Sequence, residues 1–205
     1  MVAEWYPERM SIGEWRQLER RSAVKHEFID GYVYAMAGGS QAHNAIAANI
    51  IMAIGPILRK GSCIAYTSDM AARVTATRYT YPDVVIACGE QRIAKRDETD
   101  VSPTVVFEVL SESTERYDRG LKSSYYRQCQ TLEEYALVGT DYQSVEVFRR
   151  AAEGWGLFRA YGPGEVVGLE SVGVQFSIED VYADTDVPAT LPDGGSTIRA
   201  VPPHV

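Results

Sequence analysis

Cysteine is scarce in this chain: three residues in 205, at positions 63, 88 and 129. They form no C-x-x-C pair and their number is odd. That excludes the usual zinc spacings, argues against a disulfide framework, and leads us to expect a reducing compartment. Long apolar runs are lacking too. No stretch approaches the roughly 20 residues needed to cross a bilayer, and no basic segment precedes an apolar one at the N-terminus. A cytoplasmic protein with no membrane partner is the expectation. Positive charge is in deficit, with 20 Lys and Arg against 28 Asp and Glu and a net charge of −8. Residues 179–205 hold five of those acids (Glu179, Asp180, Asp184, Asp186, Asp193) and one base (Arg199), leaving 19 bases against 23 acids elsewhere. The chain is no globally basic nucleic-acid binder, so any such role must rest on a local patch. Internal repeats are absent, which excludes solenoid architectures.

What is present suits one globular domain able to bury a core, with 45% apolar and 23% charged residues. We expect a folded domain over residues 1–183. Residues 184–205 are rich in Pro, Gly, Asp and Thr without periodicity, and should form a loose acidic tail.

Ser11 and Glu14 make an S-x-x-E capping box, predicting a helix over about 11–22 with Trp15 and Leu18 on its buried face. "KHEFIDGYVYAM" reads as a hairpin turning at Asp30-Gly31. Ile46, Ile50, Ile54 and Ile57 recur at helical spacing between Ser40 and Leu58, with Gly61 closing the helix. Strands are expected near 63–66, 69–75, 83–88 and 103–110, the last two separated by the polar "GEQRIAKRDETD". A third helix near 115–129, capped by Ser113 or Thr114, precedes a meander at 134–139, 144–150 and 156–161, and "SIEDVY" ends in a short helix. The fold class is α/β or α+β: a mixed sheet flanked by the long helix and the third helix.

One carboxylate stands out. In "PTVVFEVLSEST", Glu108 lies among Val105, Val106, Phe107, Val109 and Leu110, with no Lys or Arg within six residues. A lone buried carboxylate costs several kcal/mol unless it is paired or binds a metal. Asp83 opens the earlier strand in "YPDVVIA". On a period of two, Asp83 shares a face with Val85 and Ala87, and Glu108 shares one with Val106 and Leu110. If the two strands pair, their carboxylates converge as a hard divalent cation requires. Lys122 follows on the next helix, one turn after Asp118, in "YDRGLKSSYY".

The ordered segments "HEFIDG", "YPD", "EVLSEST" and "YDRGLKSSYY" resemble the PD-(D/E)XK nuclease superfamily, in particular its putative restriction endonuclease branch of small bacterial proteins. The resemblance runs over roughly residues 11–182. It implies a restriction endonuclease-like core that hydrolyses phosphodiester bonds with Mg²⁺ or Mn²⁺ as cofactor. Asp83 and Glu108 would be the metal ligands, with Glu27 as an additional acidic residue at the site. The lysine expected two residues after the glutamate is replaced by Leu110, and Lys122 would take its part. Nucleic acid, DNA first, is the implied partner, and a homodimer stays open. Metal would neutralise phosphate charge and activate water, while an ammonium would hold the phosphate or the water.

Each of these residues has a plainer reading. Glu108 could pair with a distant Arg, Asp83 could simply start a strand, and Glu27 could sit exposed on its hairpin. Lys122 could form an exposed i,i+4 pair with Asp118, worth a few tenths of a kcal/mol. His43 reads as a packed or capping histidine, Tyr125 and Tyr126 as core, and "QRIAKRD" at 91–97 as a solvated loop. Two rival functions stand beside the nuclease: a degenerate member kept as a binding or assembly module, and a metal-dependent hydrolase of a small phosphorylated substrate.

Overall fold

In the computed structural model, residues 5–6, 8–36, 38–92 and 99–191 are described. In chain order the elements are β1 (Trp5–Tyr6), α1 (Ile12–Glu19), β2 (His26–Ile29), β3 (Tyr32–Ala35), α2 (Gln41–Leu58), β4 (Cys63–Thr67), β5 (Ala71–Thr75), β6 (Arg78–Thr80), β7 (Val84–Cys88), β8 (Asp100–Val101) and β9 (Val105–Val109). After β9 come α3 (Glu115–Tyr117), a π-helical turn (Asp118–Lys122) and α4 (Ser123–Tyr126). They are followed by β10 (Glu134–Val138), β11 (Val145–Ala151), β12 (Gly154–Tyr161), β13 (Val166–Leu169), β14 (Val174–Ser177) and α5 (Ile178–Val181).

The strands form two six-stranded sheets, ordered β1-β3-β2-β6-β5-β8 and β12-β11-β10-β9-β7-β4, with β13-β14 as a separate pair. Both larger sheets are mixed: β9 runs parallel to β10, and β5 parallel to β8. The expected single mixed sheet is thus two, within the α+β class. The capping box forms as read, with Ser11 Oγ accepting from the Glu14 N–H and Glu14 reaching back to the Ser11 N–H. Asp30 and Gly31 take φ values of 52° and 95°, as a tight hairpin turn demands.

Alternation along β7 and β9 divides the second sheet. Val84, Ile86, Val105, Phe107 and Val109 face the larger core, which Ile46, Ile50, Ile54 and Leu58 of α2 close. Val85, Ala87, Val106 and Leu110 face the other way, into a core with Tyr126, Tyr135 and Leu137. A third cluster, around Trp15, Phe28 and Tyr79, fastens α1 to the first sheet.

Three expectations need correction. Cys63 and Cys88 form a disulfide with Cα atoms 4.0 Å apart. They are direct partners across the antiparallel β4–β7 ladder, a proximity that their 25-residue separation hides. Only Cys129 is free, so cysteine spacing no longer argues for a reducing compartment. The loose tail does not begin at Asp184 either. Val187 is buried in the larger core, and the Gln143 N–H donates to the Pro188 carbonyl. The rest of that tail, from 192, and nearly all of "QRIAKRD" lie outside the described residues. Finally, the third helix ends at Tyr126 and is interrupted by the π turn, and Thr114 holds its N-cap position without a side-chain cap bond. No helix among the described residues is long and apolar enough to cross a membrane.

Candidate active site

β7 and β9 pair antiparallel with Val84 opposite Phe107 and Val85 opposite Val106. One step further along that register, position 83 falls opposite position 108. Directly opposed residues hold their Cβ atoms within about 4.5–5.5 Å. The Asp83 carboxylate is tied to β9 as well, because its Oδ2 accepts from the Val109 N–H at 2.8 Å.

Lys122 reaches this region from the π turn. A π turn inserts one extra residue per turn and is frequent at functional sites. Here both Asp118 and Lys122 of the turn are buried. The Lys122 ammonium lies 2.8 Å from Glu108 Oε1, 3.1 Å from Glu27 Oε1 and 3.7 Å from Asp118 Oδ1. It is only 4% exposed, and Glu27 and Glu108 are equally enclosed at 5% and 3%. The exposed i,i+4 pair, the exposed hairpin glutamate and a distant Arg for Glu108 are therefore all set aside. Glu27 arrives from β2, on the strand position between His26 and Phe28, and faces the π turn instead of the Trp15 cluster.

Two tyrosines complete the shell. The Tyr126 hydroxyl donates to Glu108 Oε1 at 2.6 Å, and the Tyr117 hydroxyl donates to Glu27 Oε2 at 2.8 Å. Tyr126 is thus core and polar partner at once. Tyr125 is half-buried, with the Arg78 guanidinium 4.5 Å from its ring centroid. The sequence carried no signal for these hydroxyls, since a tyrosine on a helix looks the same whichever way its tip points.

His43 also meets this site. It sits in the first turn of α2, where its N–H donates to the Ser40 side chain. Its ring Nε2 lies 3.2 Å from Asp83 Oδ2, so α2 touches the same site from the other face of the sheet.

The electrostatics follow from burial. Burial drives the Glu108 pKa well above the carboxylate range, against the pull of Lys122, with Asp118 and Asp83 adding to the rise. Burial raises Asp118 too, again against Lys122. Burial would lower the Lys122 pKa, but Glu108 and Glu27 outweigh it and hold the ammonium charged. Burial likewise opposes protonation of His43, and Asp83 outweighs it, so the imidazole pKa is raised. Among the described residues, Glu27, Glu108 and Asp118 are three carboxylates around the one Lys122 ammonium, and Asp83 lies beside them on the neighbouring strand, tied to Val109.

The residues fit a divalent cation in donor type, which is carboxylate oxygen with an imidazole beside it. Among the described residues no three His, Cys, Asp or Glu side chains already form a closed cage. Lys122 stands between the carboxylates instead.

Residues 12–180 match the Uma2 family, described as "Putative restriction endonuclease". The uncharacterized protein slr1290 of Synechocystis sp. is 34% identical over 175 residues, covering 85% of this chain and 92% of its own. A second uncharacterized Synechocystis protein, sll1609, is 27% identical over 170 residues, covering 82% and 93%. Among solved structures, one described as a putative nuclease belonging to DUF820, from Anabaena variabilis, superposes with a TM-score of 0.67. It covers 84% of this chain and 97% of its own at 17% identity, a likeness of fold. Over the segment that carries every residue of the site, the chain belongs to the Uma2 family of putative restriction endonucleases.

Proposed function

We propose that the protein is a divalent-metal-dependent endonuclease that hydrolyses phosphodiester bonds of nucleic acid, with DNA as its substrate and the cytoplasm as its place of action. One observation carries this reading: an ammonium from a different element lies 2.8 Å from Glu108, on a strand to which the Asp83 carboxylate is tied through the Val109 N–H. The lysine that the PD-(D/E)XK pattern puts on the strand is supplied here by the π turn. Asp83 and Glu108 would hold Mg²⁺ or Mn²⁺. When bound, the ion supplies Lewis acidity at the phosphate and lowers the pKa of a water. Lys122 orients Glu108 and places a fixed positive charge beside the reacting phosphate or water. Glu27 and Tyr117 keep the ammonium from collapsing onto Glu108 alone, and the Tyr126 hydroxyl fixes the glutamate rotamer. A homodimer would bring a second such site to the second strand of a duplex.

A second reading draws on the deep burial of Lys122 and its three carboxylate partners. In it the cluster is a self-contained structural ion network in a fold retained as a binding module, and the net charge of −8 favours it. Cleavage of single- and double-stranded DNA with Mg²⁺ or Mn²⁺ separates the two. The enzyme reading expects cleavage that Asp83→Asn or Glu108→Gln abolishes while circular dichroism stays native. Undiminished cleavage by a pure Glu108→Gln preparation sinks the assignment. Metal binding without cleavage of any nucleic acid points to a hydrolase of a small phosphorylated substrate, and no metal binding points to the module.

A further inference from the structure

The imidazole of His43 meets this site, and the nuclease reading leaves it without a task. It is held there by specific geometry. The first turn of α2 delivers it to the end of the sheet, and its Nε2 lies 3.2 Å from Asp83 Oδ2. The other ring nitrogen, Nδ1, is buried with no hydrogen-bond partner. It packs over Gly39, where an added Cβ would lie 2.4 Å from Nδ1. Ring position therefore depends on a missing side chain.

We propose, on the reading that Asp83 binds a divalent cation, that His43 Nε2 is a direct ligand of the same cation, making the site a mixed nitrogen–oxygen one that favours Mn²⁺ over Mg²⁺. The spacing suits it. Two ligand atoms each roughly 2.1–2.3 Å from one octahedral ion, at a right angle, lie about 3.0–3.3 Å apart. The observed 3.2 Å between Nε2 and Oδ2 falls within that edge length. On coordination Nε2 would release any proton it carries, and the Asp83 oxygen would keep its bond from the Val109 N–H. Imidazole nitrogen binds transition ions well and suits Mg²⁺ poorly, so a histidine ligand tilts a carboxylate site toward Mn²⁺.

Electron spin-echo spectroscopy of Mn²⁺ bound to the full chain tests this directly, because a coordinated imidazole imprints a ¹⁴N coupling on the ion. The expected result is such a coupling in the wild type. It should be lost in His43→Gln, with Mn²⁺ affinity at least about ten-fold weaker and the preference for Mn²⁺ over Mg²⁺ narrowed. Gly39→Ala is the second variant: it leaves the imidazole in the protein, displaces the ring, and should weaken or abolish the coupling. Bound Mn²⁺ with no nitrogen coupling in the wild type overturns this inference and leaves the metal-dependent reading standing. A coupling that persists in both variants assigns it to His26 or His204 and also overturns the inference. No Mn²⁺ binding at all overturns the metal-dependent reading and this ligand with it.

Discussion

Replacing Lys122 with Met tests whether the carboxylate cluster is a buried ion network. The change keeps the length and bulk of the side chain and removes its charge. Three carboxylates, Glu27, Glu108 and Asp118, then lose the ammonium that lies 2.8 to 3.7 Å from them. Breaking a buried ion pair by deleting one partner costs about 3–5 kcal/mol. In a domain of this size each kcal/mol moves the melting midpoint by about 2–4 °C, so Lys122→Met should melt roughly 6–20 °C lower at neutral pH. The loss should shrink at pH 5, because the stranded carboxylates can take up protons, and millimolar Mn²⁺ should recover part of it for the same reason. Adding Glu108→Gln to Lys122→Met should cost much less than the sum of the two single changes, as expected for residues that share one interaction. Glu108→Gln alone, metal-free, leaves Lys122 paired to Glu27 and Asp118 and should be the milder single variant. Thermal melts by circular dichroism across a pH series read all of these. A loss below about 1 kcal/mol for Lys122→Met, insensitive to pH, would refute the buried network and return the lysine to the rank of a surface pair.

Three further outcomes are expected. The raised Glu108 and Asp118 pKa values mean that the folded state binds more protons than the unfolded one above the ordinary values of 4.5 and 3.8. Stability from these groups is complete below those values and is lost as pH rises through the folded ones. The raised His43 adds a loss in the same direction above its ordinary 6.5. The metal-free protein should therefore melt higher at pH 5.5 than at pH 8, and a rise in melting temperature over that interval would contradict the proton-sharing cluster. Truncation after Asp184 removes Val187, which is 6% exposed in the larger core, and should cost at least about 1.5–3 kcal/mol; an unchanged melting temperature would show that the segment does not pack. Thiol titration of denatured, unreduced protein should find one reactive cysteine and three after reduction, and removing the Cys63–Cys88 link should cost about 3.5 kcal/mol for a loop of this length; three thiols without reductant would rule the disulfide out.

Local chemistry alone determined much of this protein. The Ser11–Glu14 capping box, the Asp30-Gly31 turn, the isoleucine stripe of α2 and the alternating residues of β7 and β9 each depend on neighbours within a few positions, so sequence spacing is enough to read them. Glu108 was conspicuous for the same reason: an uncompensated charge inside an apolar strand is a local contradiction. Which groups resolve it was decided only by tertiary structure. Lys122 and Asp118 are buried within a π turn, and Tyr126 reaches Glu108 from 18 positions away. Glu27 comes from the other sheet, and His43 from helix α2, which no periodicity can announce. The Cys63–Cys88 link and the docked Val187 belong with them. Each depends on which strands become neighbours, and strand pairing is set by the burial of whole faces at once, while residue spacing along the chain records only which face each side chain takes.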